Sequence, residues 1–328
     1  MGEIVRPKRL SRSLTSLLIE SAKWKIARGS TRTALLALLF CSLHVLTLAQ
    51  STAPNIAIPQ AVLTRLQNQI NQGSVEEKRS ALFEIRNLRS ESASRIAVPA
   101  LHDEDAMVRA TAAGSVIFLP KAEGSVALLP LLNDKSEFVR TETAYALGKV
   151  GDRSSTAELV RLMKSDKILE VRTAAAVGLG GVGDLSAIES LTGVLKSRPK
   201  EDDEFLRRSA ARSIGQIAQI NITGDPTVLT PQNFLPDKFK DLGSSDATGP
   251  MAQIYSNAVD VLTTVLRNTN ETDDTRREAA FSLGAIGDSR SLDVLRGYLS
   301  SPDPYLAEIC KEAVLKIERR NKLAGKND

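Results

Sequence analysis
The sequence predicts an all-α chain: a right-handed α-solenoid, or superhelix, of about seven stacked antiparallel helix pairs. Three observations lead there. The segment Glu137-Phe138-Val139-Arg140…Ala144…Leu147-Gly148…Gly151-Asp152 recurs as Glu170-Val171-Arg172…Ala176…Leu179-Gly180…Gly183-Asp184, and again as Arg276…Ala280…Leu283-Gly284…Gly287-Asp288. A repeat of this length marks units that bury apolar surface only against their neighbours. With the arginine as index, equivalent positions fall at Lys78, Arg109, Arg140, Arg172, Arg207, Arg276 and Ala307, at intervals of 31, 31, 32, 35, 69 and 31. The composition agrees: 42% of residues are hydrophobic but only 4% aromatic, which suits helices packed through Ala, Leu, Ile and Val.

The first unit opens after Pro59 with Val62-Leu63…Leu66…Ile70 and turns at Gly73. Ser74-x-x-Glu77 then forms a capping box for its second helix. The second helices carry small or apolar residues three, four and seven places after the index, as in Ala175, Ala176 and Leu179, except for Lys311 at place four of the last unit. That spacing puts them on one helical face. Glycines eight and eleven places after it (Gly148/Gly151, Gly180/Gly183) read as helix terminators. First helices are supplied by apolar segments such as Val126–Leu132, Leu159–Met163, Ile188–Leu195 and Leu292–Leu299. The array spans residues 59–320, between a linker at 50–58 and a polar tail at 321–328. An irregular insertion at 221–250 breaks the period with Pro226, Pro231, Pro236 and Pro250, and a helix from Met251 to Arg267 restarts it. The insertion also holds Val228, Leu229, Phe234, Leu235 and Phe239, so it reads either as a loop pinned to the flank or as one shaping a binding surface.

The net charge of +4 is unevenly placed. Residues 1–49 hold eight basic side chains (Arg6, Lys8, Arg9, Arg12, Lys23, Lys25, Arg28, Arg32) against Glu3 and Glu20, which leaves the remainder two charges negative. No clustered basic stripe remains, so no nucleic-acid partner is expected. The basic leader is followed by an apolar run from Ala34 to Ala49, with small residues at Thr47 and Ala49. This is the pattern of an export signal cleaved after Ala49. The expected location is periplasmic or secreted; the alternative is a membrane anchor formed by residues 33–49, the only membrane association expected.

The repeat pattern resembles HEAT-like repeats, in particular the short class of the phycobilisome lyases. That resemblance implies an acidic residue closing each first helix and pairing with the index arginine. The implied ladder comprises Asp103, Asp134, Asp166 and Glu201 with Arg109, Arg140, Arg172, Arg207 and Arg276, fading to Asn270 and Ser301 near the end. Other HEAT-like proteins, the deoxyhypusine hydroxylases, are implied to bind iron through paired His-Glu motifs. The nearest match here is the single triplet His102-Asp103-Glu104. Outside the leader only His102 and Cys310 remain of their types, so neither a metal cluster nor a Ser-His-Asp triad is expected, nor any cofactor. Cys310 reads as a small buried hydrophobe.

Position five after the index points away from the packed face. It holds Tyr145, Val177, Arg212 and Phe281, either a partner-binding stripe or a position half-buried between neighbouring units. The expectation is therefore an exported, non-enzymatic scaffold presenting a concave surface to a protein partner in the cell envelope. The alternative is a lyase-like or chaperone-like protein gripping a tetrapyrrole or other small ligand.

Overall fold
The computed structural model describes residues 58–223 and 250–324. The expected leader, nearly all of the linker, residues 224–249 of the insertion and the last four residues lie outside the described residues. Among the described residues the chain is helical without strands, and consecutive helices pack as a right-handed α-solenoid. Seven antiparallel pairs follow one another: α1 (Gln60–Gln72) with α2 (Val75–Leu88), α3 (Glu91–Ala97) with α4 (Ala106–Ala113), and α5 (Lys121–Leu128) with α6 (Glu137–Val150). Next come α7 (Thr156–Ser165) with α8 (Leu169–Val182), α9 (Ile188–Lys196) with α10 (Glu204–Thr223), α11 (Pro250–Arg267) with α12 (Asp273–Ile286), and α13 (Leu292–Arg296) with α14 (Pro304–Ala324).

The core follows the predicted face. Ala81, Leu82 and Ile85, then Ala112, Ala113 and Val116, and so on to Ala279, Ala280 and Leu283, are buried without exception. At the last unit the series ends: Cys310 is buried but Lys311 faces solvent, as a terminal unit without a further neighbour requires. Two first helices tighten into 3-10 turns, Val98–His102 and Leu129–Asn133, each with a proline (Pro99, Pro130) near its start. Proline lacks the N–H that an α-turn needs, so the last turn rewinds instead of continuing. At α2, Ser74 Oγ accepts from the Glu77 N–H while Glu77 returns a hydrogen bond from the Ser74 N–H at 2.8 Å.

The glycine expectation needs one correction. Gly151, Gly183 and Gly287 do end their helices, with φ of 68°, 72° and 81°. Gly148 and Gly180 do not; they lie inside α6 and α8. A Cβ on Gly148 would sit 2.8 Å from the Gly178 Cα, and one on Gly181 would sit 2.5 Å from the Gly148 carbonyl oxygen. These glycines set how closely second helices touch.

Candidate functional site
Two features of the second helices organise the surface: an ion-pair ladder along one edge and an aromatic face. In the first three units of the ladder, each index cation reaches forward to the next unit. Lys78 pairs with Asp103 at 2.7 Å. The Arg109 Nε–H and Nη2–H donate to the two Asp134 oxygens at 2.8 and 2.9 Å, while its Nη1 donates to the Asp103 and Glu104 carbonyls. Arg140 repeats this geometry on Asp166 at 2.7 and 3.0 Å, and on the Asp134 and Lys135 carbonyls. One guanidinium thus ties its own turn and its neighbour's, with the forked geometry that favours arginine over lysine. Burial pushes the Asp134 and Asp166 carboxyls up, but their arginine hydrogen bonds and the Ser136 and Ile168 N–H groups outweigh it. Both carboxyls are held below the ordinary aspartate range.

Beyond unit three the expected ladder departs from the structure. Glu201 is exposed in a 3-10 turn (Glu201–Asp203) and pairs with no described residue, so Arg172 lacks its carboxylate. The cause is the longer spacing to unit five, where Ser197-Arg198-Pro199-Lys200 carries the chain past the position that Asp134 and Asp166 occupy. Arg207 is almost wholly buried and pairs with Glu271, while its Nη groups also take the Val194, Leu195 and Ser197 carbonyls. Glu271 was missed because the acid stands one residue late, after Asn270. Arg276 does not join the ladder either: it donates to the Leu266 carbonyl and stacks on Tyr298. Its neighbour Arg277 takes the role, gripping Asp303 at 2.8 and 3.0 Å. The ladder does not fade; its register slips.

The second feature is the outward face. Tyr145 and Val177 reach solvent, at 36% and 37% exposure. Phe281 is half-buried beneath the Arg212 guanidinium (5.7 Å to the ring centre) and the Lys316 ammonium (5.9 Å). Arg212 also pairs with Glu278 at 2.8 Å. Residues seven earlier on the same helices share this face, and sequence reading missed them: Phe138 is 47% and Phe205 58% exposed. Tyr305 occupies the equivalent position in the last unit, and Phe83 stands five places after the index in the first, both exposed. Arg208 stacks on Phe205 at 5.4 Å and Arg277 on Tyr305 at 5.1 Å. These pairs hold each ring and its cation in a fixed arrangement at the surface. The signal was present in the sequence two places before the index, which holds Met107, Phe138, Phe205 and Tyr305 in four units and Glu76, Glu170 and Asp274 in the other three.

The described residues do not fit a metal of the kind the hydroxylase resemblance implies. No group of three or more His, Cys, Asp or Glu among them is placed to hold a metal ion. His102 is exposed, Asp103 is committed to Lys78, and the Glu104 carbonyl serves Arg109, so the triplet does not converge. Cys310 is buried, and desolvation pushes its thiol up to about 12.

Residues 125–215 match the family model for HEAT repeats, and residues 275–301 match that for the PBS lyase HEAT-like repeat. The chain is built of HEAT repeats. Deoxyhypusine hydroxylase-B of Oryza sativa subsp. japonica is 28% identical over 265 residues, covering 74% of this chain and 88% of that protein. Deoxyhypusine hydroxylase of Bos taurus is 43% identical over 61 residues, 19% of this chain and 20% of that protein. Among solved structures, the complex of CpcE and CpcF of phycocyanin lyase from Nostoc sp. PCC7120 is 19% identical with a TM-score of 0.44, covering 81% of this HEAT-repeat chain and 98% of that one. These relatives correct the expectation of a non-enzymatic exported scaffold: the curated proteins similar to this chain that are named above are enzymes by name. The expectation rested on the lack of a familiar catalytic cluster in the linear sequence. That is weak ground, because groups that act together converge from separate turns of a fold and need no shared motif.

Proposed function
We propose that this protein is an enzyme related to the deoxyhypusine hydroxylases, binding a polypeptide substrate along its aromatic second-helix face, with no iron site supplied by the described residues. What supports the reading is the extent of the rice alignment, which runs through 88% of that protein. A shared repeat pattern alone accounts for a local match such as the 61-residue one to the cattle protein. The described residues contribute binding and orientation: flat aromatic surfaces at Phe138, Tyr145, Phe205 and Phe281, and cations at Arg208 and Arg212 whose charges are already balanced by acids. No oxygen-transfer step is assigned to them. We further infer that residues 1–49 direct export, as their charge and apolar pattern indicate.

The test is incubation of purified protein with a deoxyhypusine-bearing polypeptide, ferrous iron, a reductant and dioxygen, read by mass spectrometry as gain of one oxygen atom. Turnover is expected, with Tyr145→Ser/Phe281→Ser raising KM more than it lowers kcat. Oxygen incorporation no greater than in a protein-free control would refute the reading.

A further inference from the structure
The break in the ladder leaves a charged group without its partner, in a cleft large enough to hold one. Arg109 and Arg140 each receive a carboxylate from the following unit, and the Nη1 of each also donates to two backbone carbonyls. Arg172 occupies the same repeat position, yet no carboxylate reaches it: its Nε is covered without a hydrogen-bond partner, while the side chain as a whole is only half-buried. A half-buried guanidinium that lines a cleft and has no carboxylate of its own is open to an acid from outside. Beside it lies a cleft of about 850 Å³ formed by α7, α8, α9 and the start of α10. That volume falls in the range of small-ligand pockets, roughly 300–1,000 Å³. Lys164, Lys196 and Lys200 line it, and none of the three is ion-paired to a described residue. Glu189, Asp202 and Asp203 also line it, but Asp203 is engaged by the Lys200 backbone N–H at 3.0 Å. The walls between these charges are apolar: Met163, Leu169, Val194 and Leu206.

We propose that this cleft is a carboxylate-binding site. The ligand's carboxylate pairs with the part of the Arg172 guanidinium that the cleft leaves accessible, supplying the acid that Asp134 and Asp166 supply to Arg109 and Arg140, and its apolar stem lies against Met163 and Val194. The lengthened turn at Ser197–Lys200 makes the site, by removing the chain's own acid from the position. A free organic acid and a polypeptide carboxylate share this chemistry. The proposal stands apart from the hydroxylase reading; either can fail alone.

The experiment uses the purified full chain with four probes: hexanoate, hexanamide, an apolar hexapeptide with a free C-terminus, and the same peptide as its C-terminal amide. Binding is read by calorimetry and by thermal shift, which rises with ligand concentration relative to Kd. Hexanoate is expected to bind and stabilise while hexanamide does neither, and Arg172→Gln should weaken hexanoate binding about 10- to 100-fold. Arg172→Lys, which keeps the charge and loses the fork, should fall between. A free-acid peptide that binds at least about tenfold tighter than hexanoate would identify a polypeptide as the natural source; equal binding would identify a free acid. A second measurement guards the conclusion. Without ligand, Arg172→Gln should leave the unfolding midpoint unchanged, whereas Arg140→Gln, which strands Asp166, should lower it clearly. Equal behaviour of hexanoate and hexanamide, undiminished binding by Arg172→Gln, or destabilisation matching Arg140→Gln would each overturn the proposal.

Discussion

Replacing one glycine by alanine should have opposite effects at two helical positions of this protein, and the difference isolates how its second helices pack. A Cβ on Gly178 in α8 would stand 2.5 Å from the Ala144 carbonyl oxygen and 3.4 Å from its carbon. Those are backbone atoms of α6, so no rotamer change relieves the overlap. The facing glycines Gly148 and Gly181 are equally close to the opposite backbone, so the two helices interlock and must separate together. Overpacking of this kind costs roughly 1–3 kcal/mol. Alanine's better helix propensity returns about 0.8–1 kcal/mol. With two rigid backbones in contact the upper half of the range applies, leaving Gly178→Ala destabilised by about 1–2 kcal/mol. Gly193 in α9 has nothing within 4 Å of a built Cβ. There only the propensity acts, and Gly193→Ala should be stabilised by up to about 1 kcal/mol. Urea unfolding followed by circular dichroism measures both. Repeat arrays need not unfold in two states, so the midpoints should be accompanied by amide exchange in α6 and α8. Gly178→Ala as stable as the parent, or more stable than Gly193→Ala, would refute the reasoning.

Other consequences are as direct. The ladder aspartates Asp103, Asp134, Asp166 and Asp303 all titrate below their ordinary value, so the folded state favours their charged form. Their contribution is complete above the unfolded pKa of about 3.9 and is lost as pH falls through the lower folded values. The urea midpoint should therefore hold from pH 6 to about 5 and drop steeply below about 4; a midpoint unchanged at pH 3 would exclude the ladder as a source of stability. Cys310, with its thiol pushed up to about 12, should react with a disulfide reagent at pH 8 only on unfolding, in protein carrying Cys41→Ser. Rapid native-state labelling would contradict its burial. N-terminal sequencing of protein recovered from an envelope fraction should begin at Gln50, and recovery of an intact leader would favour the anchor instead.

The architecture was legible because a solenoid writes its core as a local rhythm. Ala175, Ala176 and Leu179 announce a buried face through spacing alone, and the same spacing recurs in each unit. A capping box such as Ser74–Glu77 is equally local. The ladder was readable only while its register held: Asp134 and Asp166 sit where the period puts them. Glu271 and Asp303 sit one and two residues off that register, so only the packed helices bring them to Arg207 and Arg277.

What the sequence determined alone is therefore whatever depends on neighbours along the chain: helix periodicity, small residues at the contact face, and left-handed glycine caps at Gly151, Gly183 and Gly287. Tertiary structure decided what depends on approach between units. It placed Gly148 and Gly178 in contact instead of at a helix end, and stacked Arg212 and Lys316 over Phe281. It also left Arg172 facing an open cleft. The reason is geometric: within a helix a residue's position follows from counting, while across units a few extra residues in one turn carry a carboxylate out of reach, and no count along the chain registers that distance.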